Sequence, residues 1–162
     1  MTSSERSRTQ TGRQPSLDGT GLRVAVVVAR FNDAVNERLL AGARATLAAF
    51  GVAEADIVEL WVPGAYELPL VAKKLAESGR HDAVIAIGSV IRGDTPHFEY
   101  VAGECAAGLT RASLDTGVPI VFGVLTVDTV EQAEARAGGS LGNKGDEFAA
   151  TAIEMAALMR SL

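Results

Sequence analysis

One cysteine in 162 residues, Cys105, excludes an internal disulfide and a thiolate zinc site, which needs several ligands at fixed spacing. Aromatic residues make up only 5% of the chain, so any aromatic side chain in a loop stands out. No apolar run approaches the roughly 18 residues that span a bilayer. Basic residues are the minority: 15 Lys and Arg against 20 Asp and Glu give a net charge of -5 and a pI near 5.0. That balance argues against a nucleic-acid partner, which would call for a basic face. The motifs G-x-G-x-x-G, H-E-x-x-H and G-x-S-x-G are absent, and Lys144 is followed by Gly145, so no Walker A loop exists. What is present is 48% hydrophobic and 22% charged residues, the composition of one globular domain with a sizeable core. The expectation is a soluble, cytoplasmic protein with no membrane partner.

Residues 1–21 differ from the rest. They are rich in Ser, Thr, Arg and Gln and carry Arg6, Arg8 and Arg13 against Glu5 and Asp18. Such composition predicts a flexible arm, and no apolar stretch marks it as a secretory signal. A sharper alternative has Pro15 to Asp18 adding a strand to a neighbouring subunit. The single domain then occupies residues 22–162, with 12 Lys and Arg against 18 Asp and Glu.

Within that domain strands and helices alternate. The β-branched run Arg23–Ala29 reads as a strand buried on both faces. Val35, Leu39, Ala43 and Leu47 form a helical stripe ending near Phe50-Gly51. Asp56–Val62 predicts a second strand, and Leu68, Val71, Ala72 and Leu75 a second helix, with Pro69 in its first turn. Ala83–Ile91 is the most apolar strand, followed by a helix from about Phe98 to Asp115. Pro119–Leu125 predicts a fourth strand, and Thr129 a helix start. A last helix after residues 138–145 is expected to present Phe148, Ala152, Met155, Met159 and Leu162 on one face. Alternation of this kind implies an α/β fold of parallel strands joined by right-handed crossovers.

In open parallel sheets ligands bind beyond the carboxyl ends of the strands. Three of those ends are Phe31-Asn32, Ala65-Tyr66-Glu67, and the stretch from Ser89, Val90 and Ile91 through Gly93-Asp94-Thr95 to His97. Gly93, Asp94 and Thr95 precede a helix, whose free N–H groups and positive end suit a phosphate. Plain helix capping by Asp94 or Thr95 is the simpler alternative. His97 is placed for proton transfer at neutral pH, or equally for capping its own helix. Arg136 could grip phosphate oxygens as a planar fork, and Lys144 lies in a Gly-rich stretch that otherwise reads as a solvated turn. Phe31 and Phe122 could stack on a planar ring or simply pack at the rim. His81 reads as a surface residue, and Cys105 as a small buried hydrophobe.

Together these segments resemble the lumazine synthase family. Ala29-Arg30-Phe31-Asn32, Val62 through Pro69, Ile87 through Val101, Phe122 through Thr126 and Arg136-Ala137-Gly138 to Asn143-Lys144-Gly145 occur in family order across nearly all of the chain after residue 21. The run from Arg92 to Phe98, with the later R-A-G and N-K-G, is the specific part. The resemblance implies a flavodoxin-like three-layer α/β/α sandwich whose four-stranded parallel sheet has the order 2-1-3-4. It implies a transferase of riboflavin biosynthesis that joins 5-amino-6-(D-ribitylamino)uracil to 3,4-dihydroxy-2-butanone 4-phosphate without a cofactor or metal. Carried over by position, Phe31 would stack on the pyrimidine, with Ser89, Val90 and Ile91 lining it. Asn32 and the backbone around Ala65, Tyr66 and Glu67 would hold the ribityl chain, with Glu67 bonding its hydroxyls. Gly93, Asp94 and Thr95 would take the phosphate, and His97 would move protons. Phe122, Arg136 and Lys144 would come from the neighbour in a homopentamer, Arg136 on the phosphate. The short connection from Gly138 to Lys144 resembles members that form icosahedral 60-subunit capsids, and the resemblance leaves room for a riboflavin synthase partner.

Other functions fit parts of the pattern. A flavin or phosphometabolite binding module on the same sheet would have no use for His97, Arg136 and Lys144 together. An imine-forming aldolase would use Lys144, and a shell-building role is compatible with catalysis.

Overall fold

The computed structural model describes residues 17–162; the alternative of a strand from Pro15 onward lies in part outside the described residues. Four parallel strands form the central sheet: β1 (Val24–Ala29), β2 (Ile57–Val62), β3 (Ala83–Ile91) and β4 (Ile120–Val127), in the order 2-1-3-4. The helices are α1 (Asp33–Ala49), α2 (Leu68–Glu77), α3 (His97–Thr116), α4 (Val130–Arg136) and α5 (Lys144–Ser161). The fold is the expected flavodoxin-like sandwich.

Strand β1 explains the layering. All six of its residues are buried, because β1 sits inside the sheet and both its faces are covered. Val24, Val26 and Val28 point into one apolar cluster with α1, α4 and α5, whereas Ala25, Val27 and Ala29 point into a second with α2 and α3. Small residues allow the closest approaches. A Cβ on Gly145 would lie 2.0 Å from the Leu39 carbonyl oxygen, so α5 crosses α1 at a point only glycine tolerates. Of the N-terminal segment, Leu17 packs on the first cluster and the Gly19 N–H donates to the Phe50 carbonyl at 2.7 Å. Among the described residues no helix is long and apolar enough to cross a membrane.

Several expectations need correction. Strand β4 starts one residue later and runs two further than predicted, to Val127, because Arg92 N–H still finds the Val127 carbonyl at 2.9 Å. Helix α5 buries Ala149, Ala152, Ile153 and Ala156, while Met155, Met159 and Leu162 are exposed. The close crossing on α1 selects the small-residue face and turns the larger residues outward. Residues Ala137–Gly139 and Gly142–Asn143 pair as a small antiparallel hairpin, β5–β6, rather than a bare turn. His81 is buried, not on the surface. Cys105 is buried as expected, and burial pushes its thiol pKa up to about 11.

Candidate functional site

The site is built first by the ends of β1 and β2. The Arg30 and Phe31 N–H groups donate to the Val62 and Pro63 carbonyls at 2.8 and 3.0 Å, tying the two loops together. Asn32 adopts a left-handed conformation, φ 68°, the only described residue other than glycine with a positive φ. Asn tolerates that region better than most residues, and the turn points α1 back over the sheet. The Asn32 side chain is already engaged, with Nδ2 donating to the Ser89 carbonyl at 2.9 Å. Phe31 is left 74% exposed, so its ring is available to a ligand instead of the core.

A cavity of about 680 Å³ opens there. Phe31, Asn32, Ala65, Tyr66, Glu67, Ser89, Val90, Ile91, Gly93, Thr95 and His97 all line it. The sequence-based assignments missed Pro63, Gly64, Phe98, Tyr100 and Val101, which complete the wall. All five lie within the segments that carry the family resemblance, Val62 through Pro69 and Ile87 through Val101, so the signal was present. Tyr66 and Tyr100 are both largely exposed at the rim. Gly64 leaves room for the Glu67 carboxylate, which would lie 3.3 Å from an added Cβ.

The loop from Gly93 to Pro96 leads into α3, whose first residue is His97. No side chain caps this helix, so neither Asp94 nor Thr95 takes the capping role considered for it. The positive end of α3 therefore remains open toward an anion. Asp94 is exposed and does not line the cavity. Arg92 is turned away: its guanidinium meets Asp128 at 2.9 Å and Glu99 at 3.7 Å and lies over the Phe98 ring at 4.5 Å. The cavity consequently has no Lys or Arg among its lining residues.

The remaining assigned residues lie elsewhere. Phe122, Arg136 and Lys144 line a second cavity of about 320 Å³ beside edge strand β4, together with Glu147 and Phe148. The two cavities share no lining residue. Arg136 is braced by donating to the Gln132 carbonyl at 3.0 Å, and α4 starts on Thr129, whose hydroxyl accepts from Gln132 N–H at 3.1 Å. The Lys144 side chain is only 11% exposed and its Nζ pairs with Glu147 at 2.9 Å. Phe122 projects outward from β4 and is 43% exposed. One chain thus carries an aromatic and histidine-bearing cavity at one place and a cationic cavity at another.

The model of the family described as 6,7-dimethyl-8-ribityllumazine synthase matches residues 21–160. The match spans the whole sheet, both cavities and all five helices but the last residue of α5. The chain belongs to the 6,7-dimethyl-8-ribityllumazine synthase family, the lumazine-forming transferases of riboflavin biosynthesis.

Proposed function

We propose that the chain joins 5-amino-6-(D-ribitylamino)uracil to 3,4-dihydroxy-2-butanone 4-phosphate at a site completed by two neighbouring copies. One observation carries this reading. The assigned site residues other than Asp94 divide between two cavities without a common lining residue, and the Arg and Lys among them, Arg136 and Lys144, line the second. A phosphate ester in the larger cavity alone would meet His97, Thr95 and the open end of α3, but no guanidinium or ammonium. Bringing Arg136 and Lys144 from a neighbour supplies the missing charge.

The chemistry suits such a site. The 5-amino group of the pyrimidine is itself a nucleophile, so the protein supplies none. It attacks the ketone, forming a C=N bond with loss of water. Loss of the proton from the neighbouring carbinol carbon forms a C=C bond as the C–O bond to phosphate breaks and releases inorganic phosphate. The enol left behind becomes a ketone, and attack on it by the ribityl-bearing nitrogen closes the ring with loss of a second water. Phe31 stacks on the pyrimidine, which Ser89, Val90 and Ile91 line. Asn32 and the backbone around Ala65, Tyr66 and Glu67 hold the ribityl chain, with the Glu67 carboxylate accepting from its hydroxyls. Gly93 and Thr95, with the Asp94 backbone alone, bind phosphate together with Arg136. His97 moves protons between the amine, the departing water and the ring. Phe122 closes the aromatic side, and Lys144 lies by the ribityl and phosphate ends. Holding two reactants in register supplies up to roughly 7–11 kcal/mol in favourable cases.

The division of the site supports an assembly of neighbouring copies, and the family resemblance sets its form. A head-to-tail interface closes into a ring, here a homopentamer, and Val58, Leu60 and Trp61 are exposed on edge strand β2. The compact β5–β6 hairpin leaves pentamers free to pack into a 60-subunit capsid; sedimentation of a lone pentamer would contradict that step. The reaction needs no cofactor, takes place in the cytoplasm, and its product would pass to a riboflavin synthase. The aldolase alternative is disfavoured because the Lys144 ammonium is engaged by Glu147, whereas imine-forming lysines sit in apolar pockets or beside another cation. Incubation with both substrates should generate the fluorescent lumazine. Absence of product, or borohydride trapping of the ketone on Lys144, would overturn the reading.

A further inference from the structure

We propose that Asn36, a buried residue on α1 outside the cavity, is a positioning residue for the pyrimidine half of the site. The inference rests on the reading of Phe31 as the ring that stacks on the pyrimidine. Asn36 is fully buried, which is costly for an amide unless each polar atom finds a partner. Every one does. Its Nδ2 donates to the Ala29 carbonyl at 2.7 Å and to the Phe31 carbonyl at 2.9 Å, and its Oδ1 accepts from the Ser89 hydroxyl at 2.6 Å. Two carbonyl acceptors on one side fix which end of the amide is nitrogen. The Asn36 backbone N–H also donates to the Asn32 carbonyl at 3.1 Å.

One side chain therefore joins the end of β1, the left-handed turn at Asn32 and the Ser89 position of β3. Phe31 is 74% exposed, so packing does little to place its ring. What places it is its backbone, and the Phe31 carbonyl is held by Asn36. None of the Asn36 hydrogen bonds reaches the phosphate loop or His97, so its effect should fall on one substrate only.

The test is steady-state kinetics and direct titration of the pyrimidine substrate on the full-length assembled protein. Asn36→Asp keeps the side-chain size but replaces the paired N–H donors with oxygen facing two carbonyls. Asn36→Leu removes the polar group. Both should raise the KM and Kd of 5-amino-6-(D-ribitylamino)uracil about tenfold, with kcat and the KM of the butanone phosphate within about twofold. Leu47→Ala, a core truncation three turns along the same helix, should lower thermal stability without this selective change. Asn36→Ser, smaller but still a hydroxyl donor, serves if the first two do not fold and should show the same selectivity in weaker form. Equal shifts for both substrates, or an unmoved pyrimidine KM, would overturn the inference while leaving the reaction assignment intact. A wild-type chain that neither bound nor consumed the pyrimidine would remove the assignment, and this inference with it.

Discussion

In the proposed reaction His97 and Arg136 have different roles. His97 opens α3 at the wall of the larger cavity, where proton transfer typically contributes about 10²–10⁴-fold. Because positioning of the reactants survives its loss, His97→Ala should lower kcat by about 10²-fold, at the low end of that range. Complete inactivity in a folded variant would mean that histidine does more than carry protons. Arg136 is half-buried and braced on Gln132, with its guanidinium in the cationic cavity. Losing a charge-assisted contact worth about 1.5–3 kcal/mol, Arg136→Ala should raise the KM of the butanone phosphate about 10–100-fold. An unchanged KM would take Arg136 out of the phosphate site. Chain order made both residues legible, since each stands in a segment of family pattern. Asn36 was not legible in that way. Its one signal was a polar residue on the face of α1 that also carries Leu40 and Ala43, and only the three carbonyl and hydroxyl partners give it meaning.

The start of β3 is where element packing bears on stability. His81 is buried there, its Nδ1 without a hydrogen-bond partner, next to Asp82. Asp82 accepts from Arg23 N–H at 2.8 Å and from Arg160 at 3.1 Å. Burial, followed by the charges of Arg80 and Arg23, lowers the His81 pKa, and Asp82 only partly opposes this. A histidine lowered in the folded state contributes stability at neutral pH that is lost as pH falls below its unfolded value of about 6.5. Urea midpoints should therefore drop between about pH 7.5 and about pH 5.5, and His81→Leu should flatten that dependence. Parallel curves for the two proteins would contradict the assignment. At this scale the sequence indicated every principal strand and helix, because β-branched runs and helical stripes are local signals. Its errors came from contacts between distant segments. The face of α5 was misjudged because the Gly145 crossing on α1 sets it, and that crossing joins residues a hundred positions apart. His81 was misjudged for the same reason: Arg23 and Arg160 meet at Asp82 only in the folded sheet.

For the whole molecule, the decisive feature is that one chain carries both halves of the pattern without joining them. Sequence order alone lists Phe31, His97, Arg136 and Lys144 as though they formed one site. The sheet assigns the first two to the carboxyl ends of its strands and the last two to the flank of β4. Neighbouring copies can reunite them, and a site at a subunit boundary can be rebuilt from two defective partners. Co-expressing His97→Ala and Arg136→Ala chains with different tags, and purifying oligomers that carry both, tests this most directly. At low butanone phosphate concentration, random mixing should create intact sites at about one interface in four and restore about a quarter of wild-type activity. Mixed oligomers no more active than the average of the two parents would show that each chain works alone, and would contradict the shared site.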